Sequence, residues 1–214
     1  MLRQPKGPVL TAVVTGFLAV FALGGCSSER ETGGAGVGDK EWLLKAHGAR
    51  LSTLHSLPYQ IKGSDDFRLK GPKHRRDIFN EVPYAISLAA FVGEDAALMV
   101  HAERVDDGSG ASNYDNLDEA GWPDRQFRSS GAECITLEEG DAAGEHDLEW
   151  LKANGFDPVG TLLFQQYFAS SSDYNDEVVL SFLARVPECG DADSRESTIS
   201  ALQSQFSIRS ASRN

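Results

Sequence analysis

Two runs of alternating residues, joined by a glycine, set the strongest constraint on this chain. In the first, Tyr84, Ile86, Leu88, Ala90 and Val92 alternate with Ala85, Ser87, Ala89 and Phe91. In the second, Ala96, Leu98, Val100 and Ala102 alternate with Ala97, Met99, His101 and Glu103. A period of two is the strand period, and Gly93-Glu94 fits the glycine-first two-residue turn of a tight hairpin. Both alternating sets are largely apolar, so the hairpin over 82–105 is expected in the middle of a sheet, covered on each side.

That turn places Val92 opposite Asp95, Ile86 opposite His101 and Tyr84 opposite Glu103. Residues two apart share a face, so Tyr84, His101 and Glu103 gather on one face at the end far from the turn. A histidine beside a carboxylate and a phenol is suited to acid–base work or to orienting a ligand. The same pattern also describes a strand end emerging from the core. The small residues Ala85, Ser87, Ala89 and Ala102 permit close approach by a covering element or a ligand.

The remaining elements read more weakly. Leu44, His47, Leu51 and Leu54 recur at spacings of three and four, which predicts a helix from Asp39 to Leu57, ended by Pro58. A basic connector follows, with six cations between Lys62 and Arg76. Asp106 to Pro123 reads as a polar loop, 126–138 as one or two short strands, and His146 to Asn154 as a short helix capped by Gly155. Thr161–Ala169 and Val178–Val186 form a second hairpin. Asp193 and Glu196 have capping-box spacing before a last helix, with Ile199, Leu202 and Phe206 as its apolar stripe. The expected fold class is α+β: a mostly antiparallel sheet of two hairpins plus short strands, with about three helices.

The first forty residues have a different character. Arg3 and Lys6 precede sixteen uncharged residues, Pro8 to Leu23. As a helix these span about 24 Å, short of the roughly 30 Å hydrocarbon core, so a secretory signal is expected rather than a membrane span. The signal ends in Leu23-Gly24-Gly25-Cys26, which resembles the lipobox of bacterial lipoproteins. The resemblance covers about an eighth of the chain. It implies cleavage after Gly25, a diacylglycerol on the Cys26 sulfur and a further acyl chain, palmitate, on the new amino terminus. Two or three chains on one residue anchor it lastingly, since each buried methylene contributes about 0.8 kcal/mol. Ser27 in place of an aspartate implies the outer membrane if the cell is Gram-negative. The expected organisation is a cleaved signal over 1–25, a polar glycine-rich tether over 26–39 and one globular domain over 40–214. The tether's GGAGVGDK lacks the preceding strand and the Gly-Lys-Ser/Thr ending of a nucleotide loop.

Charge and cysteine usage fit export. The formal charge of −12 becomes −14 once Arg3 and Lys6 are cleaved away, which argues against a nucleic-acid partner. With Cys26 consumed by lipid, Cys134 and Cys189 are left as an even pair, expected to form one disulfide in an oxidising compartment. His47 and His55 are eight residues apart on the expected helix, too far to share a metal alone; His146 and Glu149 lack an HExxH context. No cofactor or metal is expected. Asp106 to Glu119 lacks the glycine of a calcium loop. The resulting expectation is a lipid-anchored envelope protein with a non-catalytic binding or accessory domain, with an envelope protein as a possible partner. A small-ligand carrier and a hydrolase using His101 are the alternatives.

Overall fold

The computed structural model describes residues 42–211. The chain divides into two units, Met1–Gly33 and Gly34–Asn214, and all described residues belong to the second. The signal, Cys26 and the tether lie outside the described residues.

The described residues are β-rich, with 48% strand and 12% helix. The α+β expectation with about three helices is therefore corrected. Among the described residues there are two antiparallel sheets and two helices. The small sheet contains β1 (Leu44–His47), β2 (Arg50–Thr53), β3 (Tyr59–Gly63) and β12 (Phe206–Ser210), in the order β1-β2-β3-β12. The large sheet runs β4 (Arg68–Phe79), β5 (Val82–Val92), β6 (Ala96–Val105), β11 (Asp176–Arg185), β10 (Gly160–Ser170), β8 (Arg128–Ser129) and β7 (Asp118–Glu119), while β9 (Glu133–Leu137) also pairs with β10. The helices are α1 (His146–Ala153) and α2 (Ala192–Gln203).

The expected first helix is a hairpin, β1 and β2, with Leu44 opposite Thr53 and Ala46 opposite Leu51. Leucines spaced by three and four fit a helix face, but they also fit two short strands folded about a glycine. Gly48 adopts φ +58° in the turn, a conformation that favours glycine. The basic connector is likewise a strand: β4 pairs with β5 along its length, and a register irregularity between Lys70 and Lys73 absorbs Gly71-Pro72. As an edge strand it carries proline, lysines and a bulge, the features that discourage edge-to-edge association. Phe206 leaves the last helix and enters β12. That helix is capped by Asp191, whose Oδ1 accepts the Ser194 N–H at 2.9 Å, in place of the expected Asp193–Glu196 box.

The two long hairpins form, with a corrected register in the first. Val92 pairs with Ala97, Leu88 with His101, Ile86 with Glu103 and Tyr84 with Val105. The turn residues are Glu94 and Asp95, and the Gly93 N–H donates to the Ala96 carbonyl at 2.9 Å. Gly93 serves close packing: a Cβ there would lie 3.0 Å from the Phe67 ring. Because the shift is two residues, no side chain changes face.

The main core lies between the small sheet with α2 and one face of the large sheet, where Leu51, Ile61, Ala89, Phe91, Val100, Ala102, Leu180, Phe182 and Phe206 are buried together. Phe206 meets Phe67, Phe91 and Phe182 edge-on or tilted, with centroids 4.7–5.8 Å apart. The opposite face is covered by α1 and by the loop after β6. Cys134 on β9 and Cys189 before α2 form the expected disulfide, with Cα atoms 5.6 Å apart.

Candidate functional site

The second face of the large sheet gathers the three residues singled out from the sequence. Tyr84, His101 and Glu103 share that face with Arg75 on β4 and Glu177 on β11, since Arg75 pairs with Ile86 and Glu177 with Glu103. The face is closed rather than open. His101 is buried, and its Nε2 donates to Asp147 Oδ2 of α1 at 3.1 Å. Arg75 grips the same carboxylate, with Nη1 on Oδ1 and Nη2 on Oδ2 at 3.1 Å. Burial pushes the Asp147 carboxyl up, but the hydrogen bonds from His101 and Arg75 outweigh it and hold the group well below the usual carboxylate range. This cluster pins α1 to the sheet.

Glu103 and Glu177 stand opposite each other on neighbouring strands. Burial and mutual repulsion push Glu103 well above its ordinary value, with Asp147 adding to the effect and Arg75 opposing it. Burial also raises Glu177, against hydrogen bonds donated by Tyr114 and Ser112. Ser112 donates to Glu177 Oε1 at 2.9 Å, the Tyr114 hydroxyl to Oε2 at 2.5 Å, and the Tyr114 ring stacks on Phe168 at 4.3 Å. The polar loop after β6 thus reaches down over the carboxylates. Tyr84 bonds Ser112 and is itself raised, chiefly by burial. Two roles are absent from the sequence reading here: Asp147 and Glu177. Both come from elements distant in the chain, and no local pattern pairs them with His101 and Glu103.

His55 also changes meaning. It is buried, and its Nε2 donates to the Glu177 carbonyl at 2.8 Å while Nδ1 accepts the Leu57 N–H at 3.3 Å. Burial lowers its pKa, as expected for a neutral imidazole spending both nitrogens on backbone groups. His47 is exposed on β1 and His146 opens α1. Among the described residues no group of three or more His, Cys, Asp and Glu side chains is placed to hold a metal.

The open site lies on the other face, past the rim of the small sheet. There a cleft of about 630 Å³ is lined by Trp42, His74, Arg76, Ser87, Arg104 and Asp106, with Ala85 among the lining residues. Its position follows from register: His74 pairs with Ser87, Arg76 with Ala85, and Ala85 with Arg104. Of the four small residues noted in the hairpin, Ala89 and Ala102 are packed in the main core, while Ala85 and Ser87 line the cleft. Ser87 Oγ accepts the Leu43 N–H at 3.0 Å and lies 2.6 Å from His74 Nδ1. Burial lowers His74, favouring the neutral imidazole. The Trp42 ring covers this histidine, with centroids 3.5 Å apart.

The cleft's cations are oriented by carboxylates. Arg104 Nε donates to Asp176 Oδ1 at 2.7 Å, and Arg76 Nη2 lies 3.5 Å from Asp106 Oδ2. Asp176 is held down to about 2: burial pushes it up, but hydrogen bonds from Arg104 and Ser56 outweigh that. The Arg76 side chain remains 71% exposed. The basic stretch contained a usable signal: strand parity sorts His74, Arg76 and Ile78 onto one face and Lys73, Arg75 and Asp77 onto the other. The sequence reading takes the stretch as a connector instead. No family model, curated protein or solved structure matches the chain.

Proposed function

We propose that the protein is a lipid-anchored component of the cell envelope whose β-domain binds a small anionic ligand in the cleft beside Trp42. The carrying observation is the cleft itself: about 630 Å³, with Arg76 and Arg104 in its lining, each oriented by a carboxylate, Asp106 and Asp176, in a chain of formal charge −12. Pockets of a few hundred Å³ with a few placed polar groups are the usual form of small-ligand sites. Arginine forks suit phosphate or carboxylate, and an indole at the rim offers an apolar surface to the rest of the ligand. The lipobox at Cys26 supports the anchored location, as does the Cys134–Cys189 disulfide, which fits an oxidising compartment.

The hydrolase reading of His101 loses support. That side chain is 4% exposed and committed to Asp147 beneath α1, whereas a general base must reach a substrate. The test is a titration of the full-length protein with glycerol 3-phosphate, following the emission that Trp42→Phe removes. A saturable change that Arg76→Glu abolishes and His101→Gln preserves is expected. A change equally present in Arg76→Glu would remove the cleft as the site.

A further inference from the structure

We infer that the cleft and strand β4 form a membrane-docking surface whose ligand is the phosphate headgroup of an anionic lipid. The inference rests on the cleft being an anion site and narrows the source of the anion. Its first support is the arrangement of exposed side chains. His74, Arg76 and Ile78 project from one face of β4, and Trp42 lies over His74. Trp42 is 55% exposed and Ile78 66% exposed. Among the described residues only one other large apolar side chain is comparably exposed, Leu54, whose N–H donates to the carbonyl of Leu43, the neighbour of Trp42. Exposed apolar groups are therefore concentrated around the cleft rather than scattered. Tryptophan has an apolar body and a polar N–H, the chemistry of the headgroup layer.

Charge is the second support. On the cleft face of β4 Arg76 is exposed, with Arg104 of β6 in the same lining, and Arg68 is exposed at the far end of the same edge strand. Basic residues held near an anionic bilayer each contribute about a five-fold gain in association. Asp77 and Asp106 oppose this in part; Asp106 holds Arg76 only at 3.5 Å, so a phosphate oxygen can replace it. The third support is chain length: the sixteen residues from Cys26 to Trp42 can span at most about 55 Å. A lipid on Cys26 would keep this rim within that distance of the bilayer, where a weak surface suffices.

The full-length protein from membranes is reconstituted into vesicles of phosphatidylcholine, with and without phosphatidylglycerol, that include a brominated lipid. Flotation on phosphatidylcholine reads the anchor separately. Docking predicts quenching of Trp42 emission in phosphatidylglycerol vesicles, suppressed by high salt, and roughly 25-fold weaker docking for Arg76→Glu, a change of two charges at about five-fold each. Equal quenching in both vesicles, or an unaffected Arg76→Glu, overturns the inference. A Trp42 response to soluble glycerol 3-phosphate without bromolipid quenching also overturns it, leaving the cleft as a site for a soluble anion. Response to neither removes both readings. A chain that fails to float on phosphatidylcholine lacks the anchor, and its flotation on phosphatidylglycerol then scores docking directly.

Discussion

Asp147 is held ionised below the usual carboxylate range while Glu103 and Glu177, on the same face, are pushed above it. The difference is the partner: Asp147 accepts hydrogen bonds from the Arg75 guanidinium and His101, whereas each glutamate faces another carboxyl, and the neutral hydroxyls of Ser112 and Tyr114 on Glu177 do not offset its burial. Asp147→Asn leaves Arg75 without its buried counterion, and the expected loss is about 3–5 kcal/mol in chemical denaturation; a loss below 1 kcal/mol would mean α1 is held by packing alone. The two shifts have opposite pH signs. A depressed carboxylate stabilises above its unfolded value and that contribution is lost as pH falls through its native value, so Asp147 and Asp176 make the fold acid-sensitive. A raised carboxylate favours the fold below its unfolded value and loses that contribution as pH rises through its native value. Stability should therefore fall as the solution passes from acidic toward alkaline through the glutamate transitions, and Glu103→Gln should flatten that fall. Parallel curves for the variant and the parent protein would show the glutamate pair to be silent.

At the scale of elements, the sheet is closed by contacts from far along the chain. The disulfide joins β9 to the segment before α2 across 55 positions, and replacing both Cys134 and Cys189 by serine should cost about 4 kcal/mol on the chain-entropy model. A denaturation midpoint that does not move would mean the open chain retains that restraint in its unfolded state. The two long hairpins and α1 were legible because their patterns are local: alternation about a turn, or a short apolar stripe ended by Gly155. The β1–β2 hairpin was not, because four leucine-rich positions satisfy both periods and only packing on the main core decides between them. Gly93 misled the register for a similar reason: its lack of a side chain serves the Phe67 ring rather than the turn.

For the whole molecule, polar side chains occupy both faces of one sheet and play different parts. On one face the row around His101 is buried and ties α1 and the loop after β6 to the strands. On the other, the cleft beside Trp42 is open, cationic and bordered by exposed apolar groups. Tyr84, His101 and Glu103 were correctly placed on one face by strand parity, but parity carries no information on what covers a face, and the covering residues Asp147, Ser112 and Tyr114 come from separate segments. Among the described residues no helix is long and apolar enough to cross a membrane. Amide chemical-shift mapping of the isotope-labelled protein during a glycerol 3-phosphate titration tests the division between the two faces most directly. The account predicts saturable shifts at His74, Arg76, Ala85, Ser87 and Arg104, with His101, Glu103 and Glu177 unmoved. Shifts centred on His101, Glu103 and Glu177 with His74 and Arg76 silent would contradict it.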